Sequence, residues 1–481
     1  MKTNSATRVL PGGFQQDQHW YPKALNATIH PLVHFFLNLS PARIVNRYCH
    51  LNPQADRAYL TELLAYECKH FVWSGADLIH CTTAEGNRRM VVIENNSCPS
   101  GQKSMPLTDD HQEEGGYRKL LERTFLPYVK RRGGLGKAAG HLAVLYDKNP
   151  MEATGYAHAL ADLYGEEVLL VTAYDGAETS FLRTENDQLF ARVDGEWLPL
   201  RAAFRYLTQR PWARLPLRSK TKILNPIVAC LAGGRNKAMA AKAYDLFNGE
   251  LAEHGLTIHA PETIRDVAKV EIPLWVERWG GQAVVKVPYS NAGQGVYTIT
   301  SPEELEAFMA TEQVYDRFIV QSLIGNYRWS SAGADGRFFH VGTIPDKRGR
   351  TFVCDLRMMV SSTPEGIRPL ACYSRRAGEP LADDLRPGLD SWAMLGTNLS
   401  QKLGDNEWTS DVSRLLLMDR RDFNRLGVGL DDLIEAYIQT VLSTIAIDKM
   451  AARLFNKKGK FSRRLFTSLN DDPALLAEIP L

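Results

Sequence analysis

Long apolar runs, paired cysteines and an excess of either charge are all missing from this chain. No stretch of its 481 residues approaches the length of a membrane span. The opening MKTNSATRVLPGGF also lacks the apolar core of a secretory signal. Seven cysteines (Cys49, Cys68, Cys81, Cys98, Cys230, Cys354, Cys372) stand singly, with no C-x-x-C pair. That fits a reducing cytoplasm better than a disulfide framework or a zinc site. A net charge of +2 gives no global field for nucleic acid, so any anion site must be local. Two common phosphate signatures fail as well. KRRGGLGKAAG has the wrong interval between Gly133 and Gly136 and carries Ala138 where a P-loop needs Ser or Thr. No G-x-G-x-x-G follows the strand-like HLAVLY from His141. With 44% hydrophobic and 23% charged residues, the chain reads as a soluble globular protein of two to four packed units.

What the sequence does contain is concentrated in two stretches. The first is AVVKVPYSNAGQGV, Ala283 to Val296. An apolar β run delivers Lys286, Pro288 breaks the strand, and small residues follow from Ser290 through Asn291, Ala292, Gly293 and Gln294 to Gly295. Backbone N–H groups without bulky side chains can close around a phosphate chain, and the ammonium adds a point charge. A plain hairpin with a Gly-rich turn has the same sequence pattern.

The second is Trp73 to Pro106. ADLIHCTT and MVVIENN read as two strands around the turn AEGNRR. Glu94 and Asn96, two apart, share a strand face, and Asp77 on the paired strand can join them. Three oxygen donors of this kind suit Mg²⁺, and a hairpin with a solvated polar face is the alternative.

Around these lies an α/β mixture. Residues 54–72 have helical period. His30 and His34 stand at i, i+4, a spacing shared by metal pairs and by ordinary core or interface histidines. Residues 141–223 carry a βαβ pattern and a hairpin (QLFARV, DG, EWLPL). A helix is expected from about Arg235, with Lys237 in its first turn and Lys242 beyond. SPEELEAFMAT is a helix with Ser301 as N-cap and Glu304 as capping-box partner. FIVQSLIG is a short strand whose end, Gln321, Ser322, Leu323 and Ile324, can present backbone groups to a flat base or be a buried edge. Asp355 and Arg357 share a strand face, and Arg375 and Arg376 end the next strand, so several guanidiniums can converge on an anion or stand at the surface. DDLIEAYIQTVLSTIAIDKMAARLF reads as a long amphipathic helix, and KKGKFSRR as a solvated basic end.

Taken together, these blocks resemble the ATP-grasp superfamily of carboxylate–amine ligases, over about residues 73 to 400. NKAMAAKAYDLF resembles the segment carrying the first nucleotide-binding lysine, at Lys237 with Lys242 as the fallback. VVKVPYSNAGQGV resembles the second lysine and the phosphate-covering loop, and VQSLI the adenine hinge. DLRMMV and SRR resemble the strand pair supplying Asp355, Arg357 and Arg376, and GTNLS the following turn at Asn398. The family's magnesium segment normally comes last, yet nothing after residue 400 supplies it. Asp77, Glu94 and Asn96 supply it near the front, an order similar to circularly permuted ATP-grasp enzymes such as glutathionylspermidine synthetase. Ser322 departs from the carboxylate common at the hinge.

The resemblance implies ATP and Mg²⁺ as cofactors and a fold of α/β lobes with a small Rossmann-like domain in front. Its divisions would be residues 1–140, 141–223, 224–325 and 326–481. It further implies amide or peptide bond formation through an acyl phosphate, with Arg357 and Arg376 as catalytic groups. A small-molecule or peptide carboxylate and an amine would be the partners, without nucleic acid or membrane. A nucleotide-binding scaffold without activity and a phosphotransferase of the same fold are the alternatives.

Overall fold

The computed structural model describes residues 4–131, 138–174, 180–207, 212–290, 295–334, 336–402 and 408–479. The architecture is mixed α/β, with four sheets among the described residues. In the first, His141–Tyr146 lies parallel between Val168–Thr172 and Glu196–Tyr206, and Lys222–Leu224 extends it in parallel. Strands covered on both faces have no polar side to present, so Val168–Thr172 reads VLLVT and is buried throughout. The hairpin Gln188–Val193 and Leu182–Glu185 completes the sheet antiparallel. Its turn to Glu196 uses Asp194 and Gly195 at φ 52° and 88°, both in the left-handed region that a two-residue hairpin turn requires. Ala6–Val9 pairs antiparallel with Val168–Thr172, so the N-terminal region contributes a strand that its aromatic composition did not suggest.

The second sheet is antiparallel, in the order Thr263–Ala268, Arg317–Ser322, Ala283–Lys286, Val296–Ile299. The lysine strand is therefore interior, held on both sides. The third sheet runs Phe338–His340, Trp73–Thr83, Cys354–Thr363, Gly366–Arg376, Leu415–Leu416, with Arg88–Asn96 paired to Trp73–Thr83. The front hairpin thus joins strands almost three hundred residues later in the chain.

The helix Leu430–Arg453 packs across this third sheet and against the helix Lys237–Leu251. Every residue from Ala436 to Asp448 is buried, so it is enclosed on all sides rather than amphipathic. Its polar groups are satisfied internally: Thr440 and Thr444 donate to carbonyls one turn back, at 2.7 and 2.6 Å. Asp448 accepts from the backbone N–H groups of Lys69, His70 and Phe71 and from the Tyr66 hydroxyl at 2.9 Å. This anchorage explains why the helix expected over residues 54–72 stops early. It spans Arg57–Leu64, capped by Asp56, and the chain then turns around the Asp448 carboxylate into the hairpin.

The expected cap of helix Pro302–Ala310 is present, with Ser301 Oγ accepting from Glu304 N–H at 3.3 Å. Glu304 reaches one residue further back than a capping box, to Thr300 N–H at 2.7 Å. His30 caps the helix Pro31–Leu37 through Nδ1 while His34 is exposed, so the two do not converge. All seven cysteines are buried and unpaired. No helix among the described residues is long and apolar enough to cross a membrane.

Candidate functional site

Where the second and third sheets face each other they enclose a cavity of about 860 Å³. The register of the third sheet fixes its floor. Glu94 stands opposite Asp77, Asp77 opposite Arg357, and Arg357 opposite Tyr373, so one row of side chains crosses four strands. At about 4.8 Å per strand this row is about 14 Å long. Two positions along, Asp355 stands opposite Arg375.

The row is a charge lattice. Arg357 grips Asp77 bidentately, Nε to Oδ1 at 2.6 Å and Nη2 to Oδ2 at 2.7 Å. Arg375 reaches Asp77 Oδ2 at 2.9 Å and also pairs with Asp355, whose Oδ2 accepts from Thr397 Oγ1 at 2.9 Å. Burial alone would raise the Asp77 pKa, but the two guanidiniums outweigh it and hold the acid well below the usual carboxylate range. Arg357 also donates to the Tyr373 hydroxyl at 3.2 Å and to Ser100 O at 3.3 Å, which ties the lattice to the loop after the hairpin.

Across the cavity, Lys286 ends its strand only 7% exposed. The front hairpin is irregular here: Asp77 pairs with Glu94 but Leu78 pairs with Val92, leaving Ile93 as a bulge with no residue opposite. The Ile93 carbonyl accepts from Lys286 Nζ at 3.1 Å. Burial pushes the Lys286 pKa down to about 8; Glu94 partly offsets this, and Lys237 adds to it. Lys237, in the first turn of Lys237–Leu251, donates to Ser290 O at 3.0 Å and lies 3.5 Å from Glu94 Oε1. Its own N–H donates to Pro288 O at 3.0 Å, tying this helix start to the loop that follows the lysine strand. Two lysines and one carboxylate thereby meet at the junction of the two sheets.

The expected site residues distribute as follows. Lys237, Lys286, Asp77, Glu94, Asn96, Arg357, Gln321, Ser322, Leu323 and Ile324 all line this cavity. Lys242 does not; its ammonium is held by Asp266 at 2.9 Å and Leu469 O at 2.6 Å. Ser290 and Gly295 border the loop, Gly295 at φ 69°, where an added Cβ would come within 2.8 Å of Val287 Cβ. Asn291, Ala292, Gly293 and Gln294 lie outside the described residues.

Arg376 does not join the lattice. It faces the other side of its strand, with its guanidinium over the Phe352 ring at 4.6 Å, and Arg375 occupies the position expected of it. Alternation along Gly366–Arg376 puts Tyr373 and Arg375 on the Arg357 face and Arg376 behind it.

Of the three expected metal donors, Glu94 and Asn96 keep oxygen atoms available toward the cavity, a carboxylate and an amide oxygen that suit a hard divalent cation. Asp77 differs, since both its oxygens are taken by guanidiniums. Among the described residues no group of three or more His, Cys, Asp or Glu forms a ready-made metal centre. At the hinge, Ser322 N–H donates to Glu262 O at 2.9 Å and Leu323 N–H to Ser331 Oγ at 2.6 Å, so these two amides are already paired within the protein.

The role of the segment Ser100–Ser104 in the cavity was not readable from its sequence. Glu152, fully buried in the first turn of helix Pro150–Tyr164, accepts from Ser100 Oγ (2.6 Å), Gly101 N–H (2.7 Å), Gln102 N–H (2.7 Å) and Tyr206 OH (2.6 Å). One carboxylate with four donors fixes the loop that carries Lys103 and Ser104 into the cavity. A second cavity of about 560 Å³ shares Glu94, Lys237, Lys286 and Gln321 with the first.

No family model matches the chain, and no curated protein sequence matches it. Solved structures similar to it include three of ATP-grasp or glutathione synthetase type. A RimK domain ATP-grasp protein from Sphaerobacter thermophilus aligns at TM-score 0.28 and 17% identity, covering 48% of this chain and 90% of that one. A glutathione synthetase-like effector from Globodera pallida, in its apo form, aligns at TM-score 0.36 and 8% identity over 73% and 86%. The ATP-grasp ligase PsnB, complexed with a minimal precursor, aligns at TM-score 0.26 and 12% identity over 48% and 89%. At such scores chemistry does not transfer.

Proposed function

We propose that this chain is an ATP- and Mg²⁺-dependent ligase that joins a carboxylate to an amine through an acyl phosphate, releasing ADP and phosphate. One observation carries the reading: two buried lysines lie across one cavity from a sheet face that bears both a metal-competent acid–amide pair and two arginines. Phosphoryl transfer asks a protein for alignment and charge neutralisation more than for covalent help, and this set supplies both. On this reading the order of the parts along the chain is that of a circularly permuted ATP-grasp core, with residues 141–223 as its preceding domain.

Lys237 and Lys286 hold the phosphates of the nucleotide, and Ser290 and Gly295 flank the segment that the sequence pattern assigns to covering them. Glu94 and Asn96 would hold Mg²⁺, which would supply positive charge against that of the phosphates. Arg357, and Arg375 rather than Arg376, steady the substrate carboxylate and the transferring phosphoryl group. Asp77 keeps both guanidiniums aimed and charged. The carboxylate oxygen attacks the γ-phosphorus and the bond to the bridging oxygen breaks. The amine then attacks the acyl carbon, phosphate leaves, and the amine's proton passes to solvent.

The test is magnesium-dependent ADP release with pooled carboxylates, amino acids and polyamines, followed by mass spectrometry of the product. Hydroxylamine in place of the amine should trap a hydroxamate. Glu94→Ala should abolish release with the fold intact. Nucleotide binding without ADP release under any pool would favour an inactive scaffold, and retained turnover in Glu94→Ala would remove the metal assignment.

A further inference from the structure

We propose that the part of the cavity beside Lys103 and Lys148 seats the remainder of the carboxylate substrate, and that this substrate carries a second carboxylate in addition to the one that is activated. The proposal rests on the ligase reading and names its substrate class.

Charge drives it. The cavity is lined by seven lysines and arginines against four acids, an excess of three positive charges. Most have partners. Asp77 and Asp355 are matched by Arg357 and Arg375, Glu94 lies beside Lys237, and Asp147 pairs with Arg214 at 3.0 Å. Lys286 faces the phosphates. Lys103 and Lys148 meet no carboxylate at salt-bridge distance among the described residues.

Lys103 is only 7% exposed and lines the cavity, yet its ammonium has no hydrogen-bond partner among the described residues; it sits over the Tyr21 ring at 5.0 Å. Lys148 Nζ donates once, to Cys98 O at 3.0 Å, and lies 4.8 Å over the Tyr206 ring. Burial pushes its pKa down to about 8. Asp147 and Glu152 act on Lys148 only through space, and among the described residues no carboxylate touches either ammonium, so a ligand anion in direct contact is the natural complement.

Both lysines belong to segments that Glu152 ties together. Lys103 follows the Ser100–Gln102 loop that Glu152 holds, and Lys148 precedes the helix on which Glu152 sits. That helix is fifteen residues long, its Asn149 side chain does not cap it, and its first residues line the cavity. The ends of the row set the layout: Glu94 adjoins the lysines of the phosphate side, while Ser100 overhangs Arg357 and Tyr373 at the other end. A carboxylate activated at Arg357 therefore belongs to a molecule whose remainder extends toward Lys103 and Lys148. One reacting carboxylate is served by the arginines, and two further ammoniums call for a second anion.

The experiment is calorimetric binding of α,ω-dicarboxylates and acidic dipeptides, each against its monoamide, with and without Mg²⁺ and a non-hydrolysable ATP analogue. Wild type should bind at least one diacid about tenfold or more tighter than its monoamide. Lys103→Met and Lys148→Met should each close that gap while leaving analogue affinity unchanged, and Lys103→Arg should keep it. Lys148→Met and Lys103→Arg carry the test if Lys103→Met fails to fold. Equal binding of every diacid and its monoamide, absence of any acid binding, or an unchanged gap in the methionine variants would overturn the second-carboxylate subsite. A gap that persists while wild type binds no nucleotide would overturn the ligase reading and leave the anion site standing.

Discussion

Lys286 offers a test in which stability and binding move in opposite directions. Its ammonium is buried, and its pKa of about 8 lies below the ordinary lysine value of 10.5. Keeping it charged at pH 7 therefore costs the unliganded fold about 3 kcal/mol, at 1.36 kcal/mol per unit. Lys286→Met removes that charge and with it one hydrogen bond to Ile93 O, a loss of about 1 kcal/mol. The variant should be more stable than wild type by about 2 kcal/mol, seen as a higher Tm by calorimetry without ligand. The same change should weaken binding of a Mg²⁺–ATP analogue by about ten- to a hundredfold, the value of one charge-assisted contact to phosphate.

The pH dependence has a fixed sign. The folded pKa lies below the unfolded one, so the unfolded chain binds more protons between about pH 8 and 10.5. Apo stability from this group should rise with pH across that window. Nucleotide affinity should fall above about pH 8, with proton uptake on binding detectable by calorimetry in buffers of different ionisation enthalpy. A Lys286→Met protein that is less stable than wild type, or that binds nucleotide as well, would refute the reasoning.

Two further variants probe the floor and its support. Arg375→Ala leaves Asp77 and Asp355 short of a buried partner and should cost about 3 kcal/mol or more, with loss of ADP release. Arg376→Ala should keep turnover within a few-fold, since its guanidinium lies against Phe352 outside the cavity; a steady-state ADP assay compares the two. Asp448→Ala strands three N–H groups and the Tyr66 hydroxyl and should destabilise by about 3 kcal/mol. Hydrogen exchange should then rise first over residues 66–72.

Legibility in the sequence followed the range of the interactions. The front hairpin and the lysine strand were readable because their signal is local: apolar alternation, a turn, then a polar cluster. The side chosen between Arg375 and Arg376 was not, because facing depends on register. In that strand pair the register slips between Met359 and Val360, a shift no periodicity reveals. The Ser100–Ser104 loop stayed hidden for another reason. Its order comes from Glu152, about fifty residues away, which reads as one acid among many at the start of an ordinary helix. The strand Ala6–Val9 was missed because a four-residue edge strand is fixed by its partner, Val168–Thr172, rather than by its own sequence.

The single unmatched residue in the front hairpin has a separable effect. Deleting Ile93 would restore an even count, Val92 facing Leu78 and Glu94 still facing Asp77, so the acid would keep its side of the sheet. Lost instead would be the one main-chain oxygen that anchors the Lys286 side chain to the opposite wall. The extra residue is thus a latch between two sheets that share no strand, and shortening the chain by one position would loosen their grip without disturbing the row itself.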